Sequence, residues 1–395
     1  MPAFEIADVF RRHGDAYRRD HDGHLGRVER RVMSAIELCR TAALGGHIEA
    51  CGDCGTTRIA YNSCRNRHCP KCQSTARAAW RDARQAEFLP VPYFHVVFTL
   101  PPGAAGIAFQ KKAVVYALLM RCAAEAIMTL AADPHRLGAE TGLLAVLHTW
   151  GQTLTHHPHV HCVVLGGGLA PDGKSWIGCK PNFFLPVKPL GRLFRRLFLN
   201  GLETVFKQGK LQAFGDLAGL AEPCGFAEWI AALRCKDWVV YAKPPFGGPA
   251  QVLAYLARNT HRAAIANTRL TVVDGDQVAF TYRDYRHRSR HKVMRLDPDE
   301  FIRRFLLHVL PDGFHRIRHY GFLANGHRAG KIERCRAAIA AQECENTTSI
   351  GQAPRSATQK TATSEIKPCP ACGGVMRTIG DLPPARAAAF RCDTS

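Results

Sequence analysis

Closely spaced cysteines constrain the fold of this chain more than any other feature, because each Cys-x-x-Cys pair turns two thiols toward one point. Of its sixteen cysteines, five lie between residues 51 and 72 and a further Cys-x-x-Cys pair lies near the C-terminus. The N-terminus carries Glu5 and Asp8 inside its only apolar stretch, so it lacks the layout of a signal peptide. We therefore expect a cytoplasmic protein, in which such pairs more often bind metal than form disulfides.

The first cysteine group predicts a structural zinc ion. Its two pairs have a spacing close to that of a zinc ribbon, and thiolates are ligands that zinc prefers. The expected ligands are Cys51, Cys54, Cys69 and Cys72. Three further side chains lie close enough to substitute for one of them or to hold a second ion: Cys64, His68 and His47.

The C-terminal pair, Cys369 and Cys372, is followed only by Cys392. A fourth ligand is therefore missing, and the sequence leaves open whether this partial knuckle binds zinc.

The charge of the chain indicates a polyanionic partner. Lys and Arg number 53 against 33 Asp and Glu, which leaves a net charge of +20. A basic surface gains affinity for DNA by releasing the counterions condensed on the phosphates. Four cations near the first cysteine group are predicted to contact DNA: Arg65, Arg67, Lys71 and Arg77.

Hydrophobic patterning predicts an α+β fold, with a central antiparallel sheet and flanking helices. Helical spacing covers residues 6–44 and 107–130, and β-branched runs closed by Pro or Gly include YFHVVFTL, LLAVLHTWGQ, HPHVHCVVL and WVVYAK. Asp274-Gly275 marks a β-hairpin. No run of about 18 apolar residues occurs, so we expect no membrane-spanning helix.

Two histidines on one predicted strand suggest a second kind of metal site. His159 and His161 are two positions apart, so both imidazoles project from the same face of the strand. Gln152, seven residues before His159, could supply a third ligand from the preceding strand. Two imidazoles and an amide oxygen leave open positions, which suits a catalytic Mg²⁺ or Mn²⁺ that also holds a phosphate oxygen. Surface or packing histidines are the alternative.

A tyrosine on a predicted helix could act as a nucleophile beside that metal. Tyr255 lies in VLAYLARNTHR, and the cations that follow it could hold the flanking phosphates: Arg258, His261 and Arg262. Attack by its phenolate would leave a 5′-phosphotyrosine and a free 3′-OH. A core tyrosine on an amphipathic helix is the alternative.

Four segments in order resemble the IS91 family of rolling-circle transposases, which belongs to the HUH superfamily. They are CGDCGTTRIAYNSCRNRHCPKCQ, HTWGQTLTHHPHVHCVVLGGGL, YLARNTHRAAIAN and YRDYRHRSRHKVMRLDPDEFIRRFLLHVLPDGFHRIRHYGFLAN. The resemblance implies an HUH-endonuclease-like sheet that carries the histidine pair and a helix that presents the nucleophile. His159 and His161 match the two histidines of the motif, and Tyr255 matches the first tyrosine. The family's second tyrosine falls on Asn259, which cannot attack phosphorus.

The expected organisation has four parts. They are a helical lead-in and zinc-binding DNA-contact domain at 1–90, a catalytic HUH-type domain at 91–340 with a helical insertion at 181–237, a disordered linker at 341–368 and the partial cysteine knuckle at 369–395.

Three functions compete on these grounds. The first is a transposase that nicks and transfers single-stranded DNA at element ends and targets. The second is a plasmid rolling-circle replication initiator or a relaxase, which would share the histidines and the tyrosine. The third is a non-enzymatic, zinc-dependent DNA-binding regulator, which would bind DNA without cutting it.

Overall fold

The structure is a computed structural model that describes residues 4–73, 87–243, 245–246, 248, 251–252, 254–255, 263–285, 287, 289–324, 326, 328–347 and 368–385. Its helices are α1 (Ile6–Asp20), α2 (Arg27–Leu38), α3 (Ala105–Gln110), α4 (Lys112–Ala132), α5 (Val187–Lys207), α6 (Pro223–Arg234), α7 (Pro298–Leu307) and α8 (Arg328–Thr347). Its strands are β1 (Gly46–Cys51), β2 (Thr57–Tyr61), β3 (Tyr93–Thr99), β4 (Gly142–Trp150), β5 (His156–Leu165), β6 (Gly167–Leu169), β7 (Trp176–Gly178), β8 (Val240–Lys243), β9 (Leu270–Val273), β10 (Val278–Asp284), β11 (Arg290–Leu296), β12 (Ile317–Gly321) and β13 (Met376–Leu382). The α+β class with antiparallel sheets is confirmed.

The central sheet has five strands in the order β12-β4-β5-β3-β8, and every neighbouring pair is antiparallel. Strands β4 and β5 form a hairpin in which His148 lies opposite His159. A register shift between His148 and Trp150 ends the regular pairing of this hairpin before its loop.

Two apolar layers cover the two faces of the sheet. On one face, the alternate residues of β3, β4 and β5 pack against α4 and α5. On the other face, Leu144, Val146 and Val163 pack against Ile332 and Ile339 of α8. His148 of β4 and His159 and His161 of β5 continue this second face beyond its apolar part, so the sheet presents them next to a packed layer.

Helix α4 is mostly apolar because it forms the centre of the first layer, and its exposed stripe carries Arg121 and Glu125. Its length and composition would also suit a membrane span, which the sequence analysis did not expect, but its buried residues pack in this core. The single helix predicted over 107–130 is instead two helices, since the backbone of Lys111 leaves the helical region between α3 and α4.

The N-terminal helices do not form a core of their own. Apolar residues of α1 and α2, including Phe10 and Ile36, share one cluster with Phe280 of β10 and with Phe301 and Phe305 of α7. Residues on both sides of the expected domain boundary at residue 90 therefore pack in one shared core.

The C-terminal strand β13 packs beside the first two strands of the chain, β1 and β2, which together we call the N-terminal module. Strand β13 pairs with β1, and β1 pairs with β2, in a small antiparallel sheet. Helix α8 runs to Thr347, so the predicted start of the linker at 341 is too early, because its alanine-rich sequence favours helix. Residues 348–367 of the predicted linker lie outside the described residues.

Candidate metal and tyrosine site

Three histidines from the β4–β5 hairpin meet at one end of the central sheet. Nitrogen atoms of His148, His159 and His161 lie within 4.8 Å of one another. His148 is 4% exposed and its ring stacks on Trp150, with 4.7 Å between the ring centroids. The group is therefore close enough to share one cation, and it is held by a rigid strand pair.

The hydrogen bonds of His159 fix which nitrogen can bind metal. Its Nδ1 lies 2.7 Å from the carbonyl oxygen of His157, so this nitrogen carries the proton and donates it. The Nε2 atom is then the unprotonated one. Burial lowers the pKa of His159 to about 4, so the imidazole is neutral at neutral pH and can act as a ligand.

Gln152, the expected third ligand, is not part of this group. It follows β4, and its side-chain oxygen accepts a hydrogen bond of 3.5 Å from the backbone nitrogen of Arg283. The third nitrogen comes from His148, which the β4–β5 register places directly opposite His159. The physical reason is the irregular register after His148, which carries the chain away from the strand face before Gln152.

Tyr255 points its hydroxyl at the histidine face of the sheet. Its Oη lies 2.7 Å from His95 Nε2 and 3.2 Å from His161 Nδ1. The two imidazoles are themselves joined, with 2.8 Å between His95 Nε2 and His161 Nδ1. The hydroxyl of the predicted nucleophile thus contacts His161, a candidate metal ligand, directly and also contacts His95.

Aromatic packing holds the tyrosine in this position. Its ring lies 5.1 Å from the ring of Phe246 and 4.8 Å from the ring of His95. Phe246 is anchored by a backbone hydrogen bond of 3.0 Å to the carbonyl of Tyr93 on β3. Gln251, Val252, Ala254 and Tyr255 are helical, as the sequence predicts for this segment.

His95 is the residue of this site that the sequence analysis missed. It lies on β3, is 3% exposed, and its pKa is lowered to about 4 by burial and by the charge of Lys243. Lys243 lies directly opposite His95 in the β3–β8 pairing and is exposed. Since β3 neighbours β5, the alternation of its residues could have placed His95 on the face of His161 once that pairing was known.

The predicted DNA-contacting cations have different positions. Arg67 donates to the carbonyls of Phe314 and Pro311, and Lys71 forms an ion pair of 2.6 Å with Glu5, so both contribute to folding contacts. Arg65 is exposed. The remaining predicted contacts and the family's second tyrosine position lie outside the described residues: Arg77, Arg258, His261, Arg262 and Asn259.

The structure divides the expected zinc ligands between two clusters. Cys69 and Cys72 join Cys39 and Cys64, whereas Cys51 and Cys54 join Cys369 and Cys372. In each cluster, the four sulfur atoms lie within 4.8 Å of one another. The prediction that all four ribbon cysteines share one ion is therefore wrong, because β1 and β2 carry the first pair away from the second.

Of the additional candidates, Cys64 belongs to the first cluster, but the two histidines do not. His68 accepts a hydrogen bond of 3.4 Å from the backbone nitrogen of Leu310, and His47 lies 3.0 Å from Glu49. Cys39 was missed because it stands alone in the sequence, at the C-terminal end of α2.

Two family comparisons agree with this architecture. Residues 142–331 match a family described as "Putative transposase", and residues 9–100 match a transposase zinc-binding domain. The first match spans the histidine hairpin and Tyr255, and the second contains the whole Cys39 cluster. Together the fold and these matches define a transposase with an N-terminal zinc-binding domain.

Curated relatives narrow the class. The chain is 58% identical over 377 residues to "Putative transposase y4qJ" of Sinorhizobium fredii, which covers 95% of this chain and 94% of that protein. It is 28% identical over 310 residues to the transposase for insertion sequence element IS801 of Pseudomonas savastanoi pv. phaseolicola, covering 77% of this chain and 72% of that protein. The chain belongs to the IS91-type transposases. No solved structure matches it.

Proposed function

We propose that this transposase nicks single-stranded DNA with Tyr255 and keeps the cut strand as a 5′-phosphotyrosine during rolling-circle transposition. The observation that carries the proposal is the contact of Tyr255 Oη with His95 and His161, at the edge of the three-histidine group. A tyrosine that served only to pack a core would not need to place its hydroxyl against histidines that can bind a metal ion.

His148, His159 and His161 would hold a divalent cation at this site. When bound, such a cation polarises the scissile phosphate and neutralises the charge that develops on its oxygens. A histidine that binds metal through Nε2 carries its proton on Nδ1 and donates it to a neighbouring group. In His161 that donor faces His95 Nε2 and Tyr255 Oη, so metal binding and the position of the nucleophile are linked.

The proposed reaction exchanges one phosphodiester for another. Tyr255 loses the proton of its hydroxyl and its oxygen bonds to phosphorus, while the bond from phosphorus to the 3′-oxygen breaks. The leaving oxygen takes up a proton and becomes a free 3′-OH. Because the phosphotyrosine retains the energy of the broken bond, a later attack by a 3′-OH can join strands without a nucleotide cofactor.

Lys243 supplies the positive charge beside this reaction. It is exposed, and it lies opposite His95 on the strand next to β3. A phosphate that approaches Tyr255 would come within reach of its ammonium group, which can hold the strand as a point charge. The net charge of +20 attracts DNA to the surface in general, whereas Lys243 acts at the site.

The histidine triad bears on the choice of metal. The sequence pattern predicts Mg²⁺ or Mn²⁺ with the amide oxygen of Gln152 as the third ligand. A third imidazole in that position favours Mn²⁺ over Mg²⁺, because Mg²⁺ is bound mostly by oxygen ligands. We therefore expect faster nicking with Mn²⁺ than with an equal concentration of Mg²⁺.

The test compares nicking of labelled single-stranded element ends by wild type, His148→Ala and His135→Ala. His135 is exposed and lies outside the site, so it is the matched control. Loss of one of three ligands should lower nicking at least 10-fold, in line with the cost of disturbing a metal site. The control should nick as wild type does. Metal-independent nicking, or a fully active His148→Ala, would overturn the role of the triad, and binding without any nicking would favour the DNA-binding regulator.

A further inference from the structure

The second cysteine cluster joins the two ends of the described chain. Cys54 and Cys369 are separated by 315 positions, yet their sulfur atoms are 3.7 Å apart. Cys51 and Cys372 bring their sulfur atoms to 3.5 Å. The zinc-binding domain that the family comparison identifies ends at residue 100, so it accounts for only half of this cluster.

The geometry of the cluster fits a tetrahedral thiolate site. With zinc–sulfur bonds of about 2.3 Å, neighbouring sulfur atoms of a tetrahedron lie about 3.8 Å apart. The contacts of 3.5 and 3.7 Å between the two knuckles are near this value. They are also far longer than a disulfide bond of about 2.05 Å, and all four cysteines are free thiols.

Backbone hydrogen bonds shape the C-terminal knuckle for this role. The nitrogen of Ala371 donates to Cys369 Sγ, and the nitrogen of Gly374 donates to Cys372 Sγ, both at 3.4 Å. Such donors stabilise a negatively charged thiolate, which is the form that binds metal. A side chain at Gly374 would collide with Asp53, so this glycine allows the two knuckles to approach.

Apolar packing does not explain why β13 stays on the small sheet. Ile379 of β13 is 62% exposed, and Ile59 of β2 is 53% exposed. A three-stranded sheet with so little buried apolar surface needs another source of stability, and a structural metal is one that small modules use.

We propose that Cys51, Cys54, Cys369 and Cys372 bind a zinc ion of their own, which fastens strand β13 to the N-terminal module. The transposase then carries two structural zinc ions, one in each cysteine cluster. The Cys39 cluster holds its zinc inside the core that α1 and α2 share with β10 and α7. The second ion, which we call the clasp zinc, joins Cys51 and Cys54 to Cys369 and Cys372. This inference does not depend on the nicking chemistry.

The two ions should differ in how fast they exchange. All four cysteines of the Cys39 cluster are at most 7% exposed, and three of them are at most 1% exposed. In the second cluster, Cys54 and Cys372 are exposed. A chelator in solution should therefore remove the clasp zinc faster than it removes the buried ion.

The test measures metal content of the purified full chain. Wild type should contain two zinc ions per chain, and Cys369→Ser/Cys372→Ser should contain one. Cys224→Ser/Cys235→Ser is the matched control, since both residues are exposed and outside the clusters, and it should keep two. Substitution with Co²⁺ excludes a contribution from the histidine site, because only thiolate ligands give thiolate-to-cobalt charge-transfer absorption. That absorption should halve in Cys369→Ser/Cys372→Ser.

Hydrogen exchange provides the structural measurement. Amides of β13 should exchange quickly in Cys369→Ser/Cys372→Ser, while those of β4 and β5 keep their protection. If the wild-type chain contained only one thiolate-bound ion, that result alone would overturn the proposal. An unchanged metal content in Cys369→Ser/Cys372→Ser would overturn it as well.

Discussion

One buried residue, His95, links the proposed nucleophile Tyr255 to the candidate metal ligand His161. Its Nε2 contacts both His161 Nδ1 and Tyr255 Oη, while its Nδ1 is buried without a hydrogen-bond partner among the described residues. Leaving a buried polar atom unsatisfied costs about 1 to 3 kcal/mol. A cost of this kind is typical of sites where position matters more than stability.

We predict that His95→Ala slows covalent nicking about 10- to 100-fold at saturating Mn²⁺, the range expected for a partner of a metal ligand. The cause is loss of the hydrogen bond that orients the Tyr255 hydroxyl. His95→Gln, which retains a polar group, should recover part of the rate. Single-turnover nicking measures the effect, and thermal unfolding checks that both variants are folded. A folded His95→Ala that nicks at the wild-type rate would exclude this role.

At the scale of the elements, the site depends on how β4 meets its neighbours. Gly321 ends β12 with a φ of +62°, and a Cβ added there would lie 2.0 Å from the carbonyl oxygen of Thr141, next to β4. Only glycine adopts this conformation and approach without strain.

Gly321→Ala should therefore lower the free energy of unfolding by at least about 2 kcal/mol, from the left-handed backbone and the clash together. Gly326→Ala is the control, because Gly326 has open space around its Cβ position and no positive φ. Urea denaturation of the two variants gives the comparison. Equal stability of the two would mean that the β12 edge tolerates a side chain.

The sequence predicts elements better than it predicts partners. Strands β3, β4, β5 and β8 follow from β-branched runs, and the pair of His159 and His161 follows from a period of two. Identifying His148 as the third member of the histidine group required the register of the β4–β5 hairpin, whereas sequence spacing alone favoured Gln152. Likewise, Cys-x-x-Cys spacing identified the knuckles, but which knuckles meet is decided by contacts across 315 positions.

The whole molecule should lose stability in acid because it buries neutral histidines. His308 is 2% exposed, its Nε2 donates to the carbonyl of Leu154, and its Nδ1 faces the hydroxyl of Thr149. Burial lowers its pKa from 6.5 to about 3. Between these pH values the unfolded chain binds a proton that the folded chain does not.

The free energy of unfolding should thus be highest above pH 6.5 and fall as the pH drops from 6.5 toward 3. One such group contributes a slope of up to about 1.4 kcal/mol per pH unit. His308→Gln removes the titrating group and keeps a donor for Leu154, so it should reduce the slope by about that amount. Urea denaturation at a series of pH values measures it. An unchanged slope would show that His308 is not charged on acid unfolding.

Tyr255 is the residue that we propose forms the covalent bond to DNA. The most direct measurement is mass spectrometry of the protein–DNA adduct after nuclease digestion, with Tyr285→Phe as a control because Tyr285 is exposed in the β10–β11 hairpin. We predict that the nucleotide remnant is attached to the peptide that contains Tyr255, that Tyr255→Phe forms no adduct, and that Tyr285→Phe forms as much as wild type. An adduct on another residue, or an undiminished adduct in Tyr255→Phe, would contradict the account.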